Sequence, residues 1–174
     1  MILDAFPHIL HAQLVDTRQV LGVNLNSGME TVLTSAAAGG FTMAFPAPIP
    51  TQFTLKTPAS VTFDLAGDTD QVVVGAPSGF FELTFTPEMA TDVRADYYDV
   101  LLHRIEAGAL KTERIYTVTA PSVRIDVSLL APGADYVFEV RSFKGHPQAA
   151  RGDFAPVDYP YGSAIVFTRT FKTS

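Results

Sequence analysis

The segment of residues 130–140 constrains the fold more than any other part of the sequence. Pro132-Gly133 is a turn signal, and Tyr136, Phe138 and Val140 then alternate onto one face of a strand. A tyrosine that starts a strand after such a turn is typical of a tyrosine corner, in which the hydroxyl bonds to backbone a few residues upstream. We therefore predict a turn followed by a central strand with Tyr136 at its start.

The same pattern continues through the second part of the chain. Turn signals recur at short intervals, apolar residues alternate between them, and helical periodicity is scarce. Seven strands are predicted, which is the number in an immunoglobulin-like sandwich. They cover residues 72–74, 80–86, 97–105, 114–118, 123–127, 136–142 and 164–171.

The first 66 residues are predicted to be a smaller β-rich unit of their own. Residues 9–15 fit a short helix or a strand, and residues 20–25 and 29–34 are strands around an Asn26-Ser27-Gly28 turn. Further strands are expected at residues 41–45, 53–55 and 61–65. The turn Gly67-Asp68-Thr69-Asp70 is the best boundary, which divides the chain into residues 1–66 and 67–174.

Residues 70–174 resemble a fibronectin type III domain. Leu83-Thr84-Phe85-Thr86-Pro87 is similar to that family's second strand, with Phe85 in place of the usual core tryptophan. Tyr98-Asp99-Val100 and residues 130–140 are similar to two further strand signatures. The resemblance implies an all-β, immunoglobulin-like β-sandwich of fibronectin type III type, preceded by the smaller β-rich unit.

The first unit has a looser resemblance to carboxypeptidase regulatory-like domains, which are small transthyretin-like sandwiches. The residues that carry it are Gly22, Thr31, Thr34 and Gly40-Phe41-Thr42. The alternative interpretation is an unrelated β-rich extension that packs on the second unit.

Composition excludes several functional classes. The 174 residues are 47% hydrophobic and 17% charged, enough for a core, and the net charge of −6 disfavours nucleic acid as a partner. There is no cysteine, so disulfides, thiolate zinc sites and cysteine nucleophiles are excluded. No apolar run is long enough to predict a membrane span.

The start of the chain has no basic segment followed by an apolar run, so no signal peptide is predicted. We expect the chain to be a fragment of a secreted or cell-surface protein whose export signal was left out. The alanine-rich, lysine-poor composition suggests a bacterial source.

The long connection of residues 144–163 is the best candidate for a binding site, because long loops in compact domains are often functional. It contains Arg151-Gly152-Asp153, followed by Phe154, Tyr159 and Tyr161. The tripeptide offers a cation and a carboxylate, and the carboxylate can complete the oxygen shell of a receptor's divalent metal ion. In the family that the chain resembles, the cell-binding repeat of fibronectin carries this tripeptide in the corresponding loop, which implies integrin recognition.

Both parts of this loop have a second interpretation. The tripeptide can be incidental, since short motifs arise by chance. The aromatic side chains of Phe154, Tyr159 and Tyr161 either form a contact surface or pack the loop back on the sandwich, and we favour packing.

Two groups of residues are candidate metal ligands. Asp64, Asp68 and Asp70 could hold calcium at the unit junction, but aspartates are also ordinary turn residues. His8 and His11 could share a helical face, without a third ligand nearby.

We expect no resident metal and no cofactor. His103 is predicted to lie at the surface or the rim of the sandwich and His146 in the long loop. No motif of a catalytic site appears in the sequence, so no catalytic residues are predicted.

These observations favour a non-catalytic extracellular structural or adhesion module, a spacer or a ligand-presenting domain of a larger secreted or surface protein. The partner is an unidentified protein or glycan, and a homodimer or neighbouring domains of a longer chain remain open. One alternative is a carbohydrate-binding accessory module of a secreted hydrolase, and a third class is an enzyme in its own right.

Overall fold

The strands of the chain follow its alternating apolar pattern. The computed structural model describes residues 9–34, 47–67, 71–75, 78–88, 94–158 and 161–174. Within these ranges the regular structure is β-strand apart from two single-turn 3₁₀ helices at Val127–Leu129 and Ala149–Arg151. The strands are β1 Ile9–Val20, β2 Val23–Thr34, β3 Ile49–Lys56, β4 Thr62–Asp64, β5 Val72–Val74, β6 Phe80–Glu88, β7 Tyr97–Glu106, β8 Ala109–Val118, β9 Ser122–Asp126, β10 Asp135–Lys144, β11 Tyr161–Phe167 and β12 Phe171–Thr173.

The strands form two sheets. In the first sheet, β10 is central: β7 pairs antiparallel along one side, and β11 and β12 share the other. β8 continues the sheet beyond β7, the β1–β2 hairpin continues it beyond β11, and β5 pairs parallel with β12. The second sheet has the order β4-β3-β6-β9.

The main core lies between the two sheets. The predicted inward face of β6, which consists of Phe81, Leu83 and Phe85, is buried, and so are Tyr136 and Phe138 of β10. These side chains belong to a single hydrophobic cluster, so the all-β sandwich predicted from the sequence is confirmed.

The tyrosine corner is also confirmed. The hydroxyl oxygen of Tyr136 accepts a hydrogen bond of 2.7 Å from the backbone N–H of Ala131. Gly133 makes the turn with a φ of 70°, a conformation that favours glycine. The bond fixes the entry to β10, the strand that carries the candidate loop at its other end.

The predicted last strand is divided in the structure. Residues 164–171 are split between β11 and β12, because the chain leaves regular pairing at residues 168–170. There the hydroxyl of Thr168 accepts a hydrogen bond from the N–H of Phe138, and the N–H of Thr168 donates to the carbonyl of Phe138. A buried threonine thus occupies the break.

The turn predicted at Asn26-Ser27-Gly28 is wrong, because these residues lie inside β2. The hairpin turns at Leu21 and Gly22 instead, with φ values of 49° and 80°. Positive φ at both central residues is that of a type I′ turn, whose twist matches the flanking strands. Residues 9–15, whose sequence fits either a helix or a strand, are strand.

Strands from both sides of Gly67 share each sheet. β3 and β4 make half of the second sheet, and Phe53, Leu55 and Leu65 lie in the same cluster as the core after residue 71. β2 pairs with β11 in the first sheet. The predicted strand at residues 41–45 and the turn residues 68–70 lie outside the described residues, and the division into two units remains a prediction.

Candidate binding loop

The first residues of the connection from β10 to β11, here called the β10–β11 loop, are held by hydrogen bonds to a carboxylate. Asp96 precedes β7, and one of its oxygens accepts hydrogen bonds of 2.8 Å from the backbone N–H groups of Gly145 and His146. Its other oxygen accepts a hydrogen bond of 2.8 Å from the Lys144 ammonium. The backbone N–H of Asp96 donates in turn to the Phe143 carbonyl. One side chain therefore fixes the point at which the loop leaves the sheet.

The loop backbone also closes on itself. The 3₁₀ helix Ala149–Arg151 ends at Gly152, whose φ of 81° lets its N–H bond to the carbonyl of Ala149 at 2.9 Å. Farther along, the N–H of Asp158 donates to the Gly145 carbonyl at 2.7 Å. The two ends of the described segment 145–158 are thus joined directly.

An aromatic cluster lies under the loop. The ring of Tyr97 stacks on Phe143 with centroids 4.5 Å apart and contacts Phe154 at 4.8 Å. His146 meets the rings of Tyr97 and Tyr161 edge-on, at 5.0 and 5.5 Å. The cluster joins β7, β10, β11 and the loop, so the loop is packed on the sandwich.

The Tyr97 hydroxyl at the centre of the cluster is uncharged at neutral pH. Burial, followed by the charge of Asp99 and by Tyr161, raises the pKa of Tyr97 to about 12. His146 contacts the Phe154 carbonyl through Nδ1 at 2.9 Å, so Nδ1 carries a proton, because a carbonyl oxygen only accepts. The buried Nε2 has no hydrogen-bond partner among the described residues.

The predicted tripeptide is exposed at the far side of the loop. Arg151, Gly152 and Asp153 are all solvent-exposed. One carboxylate oxygen of Asp153 accepts a 3.2 Å hydrogen bond from the N–H of Ala155, which is a local turn contact. Gly152 separates the two charged side chains in the left-handed conformation that glycine adopts readily.

The aromatic residues of the predicted site pack on the sandwich where they are described. Phe154 and Tyr161 are partly buried and belong to the cluster, which agrees with the favoured packing interpretation. Tyr161 is the first residue of β11 rather than part of the loop. Tyr159 lies outside the described residues.

The members of the two candidate metal sites that lie within the described residues have ordinary structural roles. Asp64 accepts a 2.8 Å hydrogen bond from the N–H of Ala66, as a turn residue does, while Asp68 and Asp70 lie outside the described residues. His11 lies in β1 rather than on a helix, and His8 is not described. Within the described ranges, no three His, Cys, Asp or Glu side chains gather in one place.

A buried polar group was missed by the sequence analysis. His103, predicted at the surface or the rim, is buried at 4% exposed, and its Nε2 lies 2.8 Å from a carboxylate oxygen of Glu139. Its Nδ1 lies 3.0 Å from the Thr112 hydroxyl, and Arg141 donates to the other oxygen of Glu139 at 2.5 Å. Burial raises the pKa of Glu139, but the bonds from His103 and Arg141 outweigh it and lower the pKa overall.

The β1–β2 hairpin explains this burial. Val23 and Leu25 form a second small cluster with Val137, on the face of the first sheet that points away from the main core. His103 is the cross-strand partner of Val137, and its ring lies 6.2 Å from that of Phe167 at the border of this cluster. Alternation alone would leave this face exposed, and no local signal in the sequence announces the hairpin that covers it.

A groove lies between the β1–β2 hairpin and β3. It has a volume of about 300 Å³ and includes Asp16, Arg18 and Gln52 in its lining. The Arg18 guanidinium spans it, donating to the carbonyls of Gly67 at 2.9 Å and Thr168 at 2.7 Å. Gln52 has a φ of 50° where β3 shifts register against β6. The arginine ties the hairpin to both neighbouring segments.

The glycan alternative requires an exposed aromatic platform. Among the described residues, Phe80 is a large exposed aromatic side chain, at 48%. The Arg124 guanidinium already lies over its ring, 4.6 Å from the centroid. The geometry therefore favours the β10–β11 loop over this ring as a binding feature.

No protein-family model matches the chain, and no curated protein matches it in sequence. In the part of the chain that the structure describes, no helix combines the length and apolar character of a membrane span. The β10–β11 loop is therefore the candidate site on its geometry alone.

Proposed function

We propose that this chain is a non-catalytic module of a secreted or cell-surface protein that presents the β10–β11 loop to a protein partner. We further propose that its sandwich is of the fibronectin type III kind. The tyrosine corner at Tyr136 and the burial of Phe85 in the core support this assignment.

The observation that carries the proposal is the contrast between the ends of the loop and its tip. The base is held by Asp96 and by the aromatic cluster, whereas Arg151 and Asp153 are exposed. Within the described residues, neither the guanidinium of Arg151 nor the carboxylate of Asp153 forms an ion pair. A loop that is already ordered loses less conformational entropy on binding, so its exposed charges are available for recognition.

The chemistry of the tip indicates the class of partner. A carboxylate can enter the coordination shell of a divalent cation held by a receptor, and an arginine on the same loop can pair with a receptor carboxylate. We therefore infer an integrin-type protein receptor, with Asp153 as the metal-directed group and Arg151 as its cationic counterpart.

The test is adhesion of integrin-bearing cells to the immobilised protein, with and without divalent cation. Asp153→Glu moves the carboxylate outward by one methylene, and we expect cation-dependent adhesion to fall to the level of an uncoated surface. Asp158→Glu is the matched control, because Asp158 is an exposed aspartate on the same loop. Equal adhesion by wild type and Asp153→Glu, or no adhesion at all, would make the tripeptide incidental and reject this receptor.

A further inference from the structure

The two long outer edges of the first sheet differ in how they are protected. β8 carries Lys111, Glu113 and Arg114, and it contains a bulge in which Glu113 is the extra residue opposite Leu102 and His103. Charged residues and bulges are the usual devices that prevent an edge strand from pairing with another molecule. This edge is therefore built to stay unpaired.

The opposite edge, β1, lacks these devices over much of its length. β1 pairs with β2 along one side, and no other described strand pairs with it. Residues 9–15 contain no lysine, arginine, aspartate, glutamate or proline, and the pairing of β1 with β2 runs in unbroken register from Ile9 to Val20. A long, regular and uncharged edge is a template for strand addition.

Two exposed apolar side chains on β1 indicate binding along the edge of the sheet rather than on one of its faces. Leu14 is 56% exposed and Val15 is 53% exposed. Successive residues of a strand point to opposite faces of the sheet, so a partner docked on one face would cover only one of them. A strand added at the edge gives each of them a cross-strand neighbour.

We propose that the β1 edge pairs with the β1 edge of a second copy of this chain, antiparallel about a two-fold axis. A two-fold axis perpendicular to the sheet keeps each face of β1 on the same side, so the apolar residues on both faces find equivalent partners. Pairing within residues 9–15 also sets no like charges opposite one another, although each chain carries a net charge of −6.

The small area of this contact predicts a weak dimer. Pairing of one strand edge buries less surface than a standard stable interface, so we expect the dimer to dissociate at low protein concentration and to form at high concentration. The proposal involves β1 alone and does not depend on what the β10–β11 loop binds.

The test measures the molar mass of the full-length chain by sedimentation equilibrium, from low micromolar to several hundred micromolar protein. Leu14→Lys introduces the charge that the edge lacks, and we expect it to raise the dimer Kd at least about tenfold. Ile115→Lys is the matched control, because Ile115 is also 56% exposed but lies on β8. We expect this control to dimerise like the wild type.

Single cysteines add a readout of position, because the chain contains no cysteine of its own. Antiparallel pairing of residues 9–15 about a two-fold axis sets Ala12 opposite Ala12 of the second copy. Under mild oxidation, Ala12→Cys should therefore form a disulfide-linked dimer, whereas Ile115→Cys should remain monomeric. A wild type that stays monomeric throughout the concentration range overturns the proposal. The proposal is also overturned if the dimer dissociates in both lysine variants or in neither of them.

Discussion

Glu139 is a carboxylate on the central strand β10, only 6% exposed, with its two oxygens divided between His103 and Arg141. Removing a carboxylate from water is costly unless hydrogen bonds replace the lost solvation. Here the bonds outweigh the burial, and the pKa of Glu139 lies below its ordinary value of 4.5. The group therefore links stability to pH.

We expect the wild type to lose stability in acid more steeply than the Glu139→Gln variant. Because the folded-state pKa is lowered, the contribution of Glu139 is fully present above about pH 4.5. It is lost as the pH falls through the folded-state pKa, whereas glutamine does not titrate. At neutral pH the variant should be less stable by about 1–3 kcal/mol.

Urea unfolding at a series of pH values from neutral to strongly acidic measures this difference. Glu106→Gln is the control, since Glu106 is an exposed glutamate on β7. A Glu139→Gln variant whose stability falls with pH in parallel with the wild type would contradict the linkage.

The same two strands show what a sequence can reveal of single residues. Tyr136 was predicted correctly, because its turn, its alternation and its hydroxyl contact to Ala131 all lie within a few residues. His103 was placed wrongly, because its burial depends on Glu139 and on the hairpin around Leu25. Burial that is set by segments distant in sequence leaves no periodic signal at the residue itself.

At the scale of elements, the β1–β2 hairpin departs most from expectation. Its turn at Leu21 and Gly22 lacks the usual Asn-Gly or Asp-Gly signature, whereas Asn26-Ser27-Gly28 resembles a turn but is strand. Gly28 is paired on both sides, with Val15 of β1 and Ile165 of β11. Glycine within a strand often marks a close approach of another backbone, and this one does.

We predict that Gly28→Ala destabilises the protein by about 1–3 kcal/mol. A Cβ atom at this position would lie 2.4 Å from the Leu14 carbonyl oxygen and 3.3 Å from the Val15 Cα. Both obstacles are backbone, so the hairpin itself has to shift. Thermal unfolding measures the loss.

Gly75→Ala is the matched control for this glycine. A Cβ at Gly75 meets only the Ser174 hydroxyl oxygen, at 3.9 Å, and its φ is not in the left-handed region. We expect the melting temperature of this variant to stay near that of the wild type. Equal melting temperatures for Gly28→Ala and Gly75→Ala would show that the hairpin accommodates the methyl group.

At the scale of the whole molecule, strands before and after Gly67 share both sheets and the main core. β3 lies between β4 and β6, and it contributes Phe53 and Leu55 to the main core. The alternating pattern predicted most of these strands, but it carries no information on which strands pair. The boundary predicted at residues 66 and 67 thus separates strands that share both sheets, and the division into two units remains a prediction.

This arrangement predicts one cooperative unfolding transition for the full chain. Removing residues 1–66 would leave the second sheet with β6 and β9 only and would remove Leu55, the cross-strand partner of Leu83 on β6. A two-stranded ribbon is at most marginally stable in water, so we expect residues 67–174 alone to lack a cooperative transition. Calorimetry of the full chain and of this fragment tests both statements. Two resolved transitions in the full chain, together with a fragment that melts cooperatively, would instead support two independent units.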